Sequence, residues 1–254
     1  MSAGVTLSPS VRGIVLDIEG TTTPISFVHE TLFSYAREHL RELLAEADRD
    51  DVRVALEGLR REWDADPEVQ ALRFTQGDRT SGSFGTMAYL TWLMDRDRKS
   101  PALKTLQGLV WQRGYQAGTL SSEVYPDVPR AFARWRADGL RIAIYSSGSV
   151  LAQRLLFAHT THGDLTPFIE QYFDTGVGAK QSQDSYVRIA EAMECAGGEL
   201  LFVSDIIGEL HAARAAGIDT LLCVRDASAD VIDSRPKTIA TFDEIAGPGT
   251  TPQR

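Results

Sequence analysis

Beyond residue 125 the chain alternates short apolar runs with helical segments, and one further apolar run stands alone near the start. No other feature constrains the fold as strongly, because strands separated by helices pair in parallel and carry helices on both faces. The runs are RGIVLD (Arg12–Asp17), RIAIY (Arg141–Tyr145), LLFVS (Leu200–Ser204) and the segment Thr220–Val224. Between them Ala131–Ala137, Val150–Phe157, Tyr186–Met193 and Leu210–Ala216 predict helices. YPDVP, from Tyr125, supplies two prolines and an aspartate and predicts a loop.

From about Val28 to Ala117 the periodicity is helical instead. Leu32, Tyr35, Ala36, Leu40, Leu43 and Leu44 form one stripe, and Met87, Leu90, Leu93 and Met94 another. A third helix, marked by Leu103, Leu106, Leu109, Val110 and Trp111, begins after Pro101. The expected architecture is therefore α/β: a doubly wound, Rossmann-like parallel-sheet core over residues 1–25 and 122–254, with a helical cap inserted over 26–121. An insertion directly after the first strand is expected over the carboxyl edge of the sheet, where such folds bind ligands. Residues 247–254 read as a disordered tail.

Polar residues stand at the ends of three of these strands. The first ends on Asp17, with Glu19 following in VLDIEGTTTP; a middle strand leads into Ser146 and Ser147; a later one ends on Ser204 and Asp205. Lys180 lies in the loop segment GVGAKQS, ahead of a helix. In a parallel sheet all carboxyl ends share one edge, so groups this far apart in sequence can converge. Asp17, Glu19 and Asp205 offer hard oxygen ligands, which suit Mg²⁺ and not zinc. Such an ion takes few carboxylates and completes its shell with water and phosphate oxygens. An aspartate beside it can attack phosphorus, forming an aspartyl-phosphate that water hydrolyses. Ser147, the amides of Gly148 and Ser149, and the start of the next helix predict a phosphate cradle. Lys180 adds a compact positive charge for phosphate and nucleophile, and Glu19 is placed to act as acid and then base.

Each residue alone has a blander reading. DIEG suits a turn, SSGS suits an N-cap, Lys180 suits a surface, and Asp205 suits the cap of the helix after it. Their joint order at the strand ends, Asp, Ser, Lys, Asp, favours a site. Glu209 is more simply a first-turn helix carboxylate favoured by the dipole, although it is placed to reach a metal through water. His29 and His211 read as helix-surface or packed histidines. Trp92, Trp111 and Phe84 read as core of the helical segment, or as walls of a substrate pocket.

With these motifs the chain resembles the haloacid dehalogenase superfamily, whose members carry a nucleophilic aspartate, a Ser or Thr, a lysine and a later acidic residue in this order. The strings DIEGTTTPISFVHETLF, YSSGSVLAQRLLF, FDTGVGAK and SYVRIA are similar, more specifically, to the enolase-phosphatases of methionine salvage, also called acireductone synthases. So is RTSGSFGTMAYLTWLMDRDRKSPALKTLQGLVWQRGY in the helical segment. Most phosphatases of the superfamily have aspartate where Glu19 stands. The resemblance implies a haloacid dehalogenase-type core with a cap after the first strand and a diketo methylthiopentyl phosphate substrate, enolised and then dephosphorylated. It also implies one Mg²⁺ per chain on Asp17, Glu19 and Asp205, and substrate held by Ser146, Ser147 and Lys180. The enolisation base is open, with Glu19 a candidate.

Composition narrows the partners. With 26 basic against 35 acidic residues and a net charge of −9, the chain repels nucleic acid and anionic membranes. No apolar run approaches the roughly 20 residues that span a bilayer. The two cysteines, Cys195 and Cys223, have no metal-type spacing and fit a reducing compartment. The first residues show no secretion signal. A cytoplasmic monomer is the expectation. Three other readings stay open: a phosphatase of another small phosphomonoester, a metal-free haloacid dehalogenase, and an inactive binding protein on the same fold. Glu19 together with Asp205 speaks against the second.

Overall fold

A computed structural model describes residues 4–68, 85–225 and 237–248. They divide between two compact units, Met1–Val28 with Leu120–Arg254, and His29–Thr119.

The first unit is built on six parallel strands. β2 (Gly13–Leu16) lies at the centre, between β3 (Arg141–Tyr145) and β5 (Leu200–Ser204). β4 (Gln171–Phe173) lies outside β3, while β6 (Asp219–Cys223) and β7 (Thr238–Ile239) extend the other side. The order is therefore β4-β3-β2-β5-β6-β7. Ile14 stands beside both Ile142 and Leu201, which aligns the carboxyl ends of the three central strands. The chain winds outward from β2 to β4 and then returns to β5 on the opposite flank. Such a reversal opens a crevice at the carboxyl ends of the two strands that diverge, here β2 and β5.

The central strands are apolar without alternation because both faces are covered. On one face Val15, Ala143, Tyr145 and Phe202 pack with Tyr186 and Ile189 of α7 (Gln183–Ala192) and Leu210 and Ala213 of α8 (Ile207–Ala215). α5 (Asp127–Ala137) packs along β3 and contributes Phe132 and Trp135 to an aromatic cluster with Phe157 and Phe242. Phe157 belongs to α6 (Val150–Ala158). A short parallel pair, β1 (Val5–Thr6) and β8 (Ile245–Ala246), ties the start of the chain to a segment near its end.

In the second unit α4 (Pro101–Gln116) packs against α1 (Phe33–Leu44) and α2 (Asp50–Ala65), and α3 (Thr86–Asp95) touches α1. α4 starts as its sequence requires, with Ser100 accepting from the Leu103 amide at 2.9 Å and Pro101 in the first turn. A π-helical turn over Phe27–Leu32 leads into α1. Its last carbonyl, Leu32, accepts from the Trp111 indole at 2.8 Å, which fixes that ring in the interior. Trp92 lies under the guanidinium groups of Arg96 and Arg98. Phe84 and residues 249–254 of the expected tail lie outside the described residues. Among the described residues no helix is long and apolar enough to cross a membrane.

Candidate active site

Asp17 follows directly on β2 and is buried. The chain after it closes on itself: the amides of Thr21, Thr22 and Thr23 all donate to the Ile18 carbonyl, at 3.2, 2.9 and 2.9 Å. The Thr22 hydroxyl bonds back to the Asp17 carbonyl at 3.1 Å. Three threonines in a row would be poor turn formers by propensity alone; here their amides and the Thr22 hydroxyl bond inward, while the Thr21 and Thr23 hydroxyls are buried without a hydrogen-bond partner. Gly20 sits in the left-handed region at φ 68°, and a Cβ there would lie 2.4 Å from Asp205 Oδ2. Only glycine permits both the turn and that approach.

Lys180 comes in from the loop before α7. Its Nζ lies 2.5 Å from Asp17 Oδ1 and 2.8 Å from Glu209 Oε2, bridging the two carboxylates. The loop is fastened through its carbonyls. Tyr145 donates to Gly178 at 3.1 Å, Ser185 to Ala179 at 2.7 Å and Tyr186 to Lys180 at 2.7 Å. Burial opposes the charged ammonium, yet the Asp17 and Glu209 carboxylates outweigh it and raise the lysine above its ordinary value. It stays a fixed cation.

Glu209 belongs to this cluster. It is buried in the first turn of α8, and Ser204 donates to the same Oε2 at 2.9 Å. Burial and the neighbouring Asp17 charge raise its carboxyl above the usual range, partly offset by Lys180. Asp205 stands at the end of β5 with its Oδ1 buried and without a hydrogen-bond partner. Burial, and then the Asp17 charge, push the Asp205 carboxyl up to about 7.

The serines lie in the turn after β3. Ser146 is buried, and its Oγ accepts from the Gly148 amide at 3.1 Å. Ser149 caps α6 by accepting from the Ala152 amide at 3.3 Å. Ser147 is half-buried between Ser146 and Ser149. Glu19 is half-buried in the loop after Asp17, bridged to Thr23. His29 and His211 are exposed. Asp17, Lys180, Asp205 and Glu209 are thus brought together, the last of these against the simpler reading of its sequence position.

A family model describing haloacid dehalogenase-like hydrolases matches residues 11–217. Enolase-phosphatase E1 of Synechococcus elongatus is 43% identical over 94% of this chain and 99% of its own length. Enolase-phosphatase E1 of Pectobacterium carotovorum is 45% identical over 92% of this chain and 96% of its own. The crystal structure of the UTR4 protein of Saccharomyces cerevisiae superposes with a TM-score of 0.71 at 34% identity, covering 92% of this chain and 99% of that one. The chain belongs to the enolase-phosphatase E1 family of haloacid dehalogenase-like hydrolases. A phosphatase of the wider superfamily from Thermococcus onnurineus shares the fold at 18% identity and a TM-score of 0.56.

Phosphatases of this family generally use Mg²⁺. The residues here fit that ion. An orphaned carboxylate oxygen on Asp205, with Asp17 and Glu209 nearby and one ammonium among them, leaves oxygen donors and excess negative charge. Among the described residues no three Asp, Glu, His or Cys side chains form a ready metal cage. An ion that completes its shell with water and substrate oxygens needs no such cage.

This cluster has a pH signature. An acid whose folded pKa is raised destabilises the fold as it ionises, so stability is lost as pH rises from its unfolded value toward its folded one. In chelator, the enolase-phosphatase chain is expected to lose stability between about pH 4, where unfolded aspartate titrates, and about 7. The loss is on the order of 1–2 kcal/mol, well below the full shift because part of the carboxylate faces solvent. Urea unfolding at pH 5 and pH 8 measures it. Asp205→Asn should flatten the slope, and an unchanged slope in that variant would remove Asp205 as its source.

Proposed function

We propose that this chain is a magnesium-dependent enolase-phosphatase of methionine salvage. It takes 2,3-diketo-5-methylthiopentyl-1-phosphate to the acireductone 1,2-dihydroxy-3-keto-5-methylthiopentene and phosphate. The observation that carries the reading is the Lys180 ammonium seated on the Asp17 carboxylate at the point where the sheet reverses its winding. The names of the relatives supply the paired enolase and phosphatase activities, and the resemblance of the sequence motifs to this family implies the diketone phosphate substrate.

Asp17, Glu19 and Asp205 are the residues assigned to hold one Mg²⁺ per chain, which when bound supplies positive charge against the phosphate and the enolate oxygen. In the first reaction Glu19 takes the proton from the carbon beside the carbonyl, and the electron pair moves onto the carbonyl oxygen as the enolate. In the second, an Asp17 carboxylate oxygen attacks phosphorus. The bond from phosphorus to the substrate oxygen breaks, and that oxygen receives the proton held by Glu19. Water then attacks the aspartyl-phosphate phosphorus while Glu19 takes its proton, and phosphate leaves with Asp17 restored; the enolate oxygen takes a proton from solvent to give the dihydroxy product, and Glu19 returns its own to solvent.

Lys180 holds the nucleophile in place and offsets charge on the phosphoryl oxygens as the bond order changes. Ser147 donates its hydroxyl to the phosphate, and Ser146 keeps the turn that presents it. The His29–Thr119 unit contributes none of these groups, and we assign it to the cap.

Phosphate release from the diketone phosphate, with Mg²⁺ or with chelator, tests the reading when run beside ultraviolet absorbance of the enol product. Metal-dependent release with enol formation is expected. Release from simple phosphomonoesters but not from this substrate would keep the chemistry and overturn the pathway. Enolisation that persists in Glu19→Gln would remove Glu19 as the base.

A further inference from the structure

Arg225 emerges after β6 and is almost wholly buried, its side chain 8% exposed. A buried arginine needs partners for every N–H it carries, and their identity shows its purpose. Its Nε and one terminal nitrogen donate to the same acceptor, the Thr21 carbonyl, at 2.9 and 2.6 Å. The other terminal nitrogen lies 2.7 Å from Asp127 Oδ2. The guanidinium plane is held between two rings, Tyr125 at 4.2 Å and Phe242 at 4.6 Å from their centroids.

Each partner is fixed in turn. Asp127 Oδ2 also accepts from the Phe242 amide at 2.6 Å. The Tyr125 amide donates to the Thr22 carbonyl at 3.0 Å, so a second bond from the same side reaches the same loop. YPDVP is therefore more than a turn: its tyrosine and aspartate both serve the segment that follows Asp17. That segment already bonds inward, with its amides on Ile18 and the Thr22 hydroxyl on Asp17. Inward bonds set the shape of a loop and leave its placement free. The Asp17 amide ties its start to the Val203 carbonyl of β5 at 3.0 Å, and the outward carbonyls of Thr21 and Thr22 anchor its far side to the rest of the unit.

We infer that Arg225, with Asp127, is a positioning pair for the reaction, holding the Asp17–Thr23 loop in register with the groups from the other strands. Neither side chain touches a reacting atom; they act through Thr21. The inference rests on Asp17 being the nucleophile. Lysine at 225 keeps the charge but lacks the fork that reaches Thr21 and Asp127 together.

Arg225→Lys and Arg225→Gln are to be assayed for phosphate release from the diketone phosphate beside the wild type, with melting temperature and urea unfolding on the same samples. A small displacement of a nucleophile costs rate more than ground-state binding, so kcat is expected to fall ~10–100-fold with KM within about twofold. The loss should persist at a temperature where unfolding shows each variant fully native. Asp127→Asn should lower kcat in the same way, and the double variant should add little to either single one. Wild-type kcat per native molecule in Arg225→Lys and Arg225→Gln would overturn the inference, as would a rise in KM at constant kcat. A wild-type chain that releases no phosphate would instead overturn the proposed reaction.

Discussion

Asp17→Asn is expected to abolish phosphate release, with a fall of at least ~10³-fold in kcat, because an amide oxygen does not form the covalent intermediate. The substitution is nearly isosteric, and the Ile18 and Thr22 bonds that shape the loop involve main-chain groups it leaves alone. Fold is therefore retained. The variant also removes a negative charge that raises both Asp205 and Glu209. Without metal, at neutral pH, it should be at least as stable as the wild type. Single-turnover phosphate release and urea unfolding in chelator check the two halves. Retention of more than a few per cent of the wild-type rate would mean that another group attacks phosphorus.

Lys180→Gln carries the second large effect. Loss of the ammonium leaves Asp17 and Glu209 facing each other without the cation that lies 2.5 and 2.8 Å from them. Removing one partner of a buried ion pair costs about 3–5 kcal/mol when the other stays charged. Here Glu209 can instead take up a proton. Its folded pKa, already raised, then rises further above the unfolded one, so the penalty grows as pH rises and fades toward pH 5. The fall in kcat should be ~10²–10³-fold, the scale of a lost electrostatic contact in the transition state. Equal destabilisation at pH 5 and pH 8 would show that the lysine does not carry the charge balance of the cluster.

The sheet and the strand-end residues were legible because one physical rule covers them: parallel strands share a carboxyl edge, so Asp17, Ser146, Ser147 and Asp205 had to meet there. The short outer strands were not, since β1, β4, β7 and β8 run two or three residues and show no periodicity. From sequence Glu209 reads as a dipole-favoured carboxylate because a first-turn glutamate satisfies that rule without any partner. Its bond to Lys180 is tertiary and leaves no local trace. The role of Ser146 as acceptor for the Gly148 amide was hidden for the opposite reason, since SSGS suits a local turn and a phosphate loop equally well. Arg225 gave no signal at all. A cation after a strand reads as surface, and only the folded chain brings Thr21 and Asp127 to it.

The placement of β2 bears on how the chain is made. Its neighbours on either side, β3 and β5, begin at Arg141 and Leu200, so GIVL leaves the ribosome long before any strand exists to receive it. The helices of His29–Thr119 are complete by then and find their partners within their own segment. Synthesis therefore proceeds with the helices of His29–Thr119 already made and the central strand still unpaired upstream of them. High sequence separation between paired strands slows closure and lengthens exposure of apolar backbone. The nascent chain is most vulnerable to wrong pairing in the interval before LLFVS emerges. Pausing or chaperone capture there would affect yield without touching a single residue of the site.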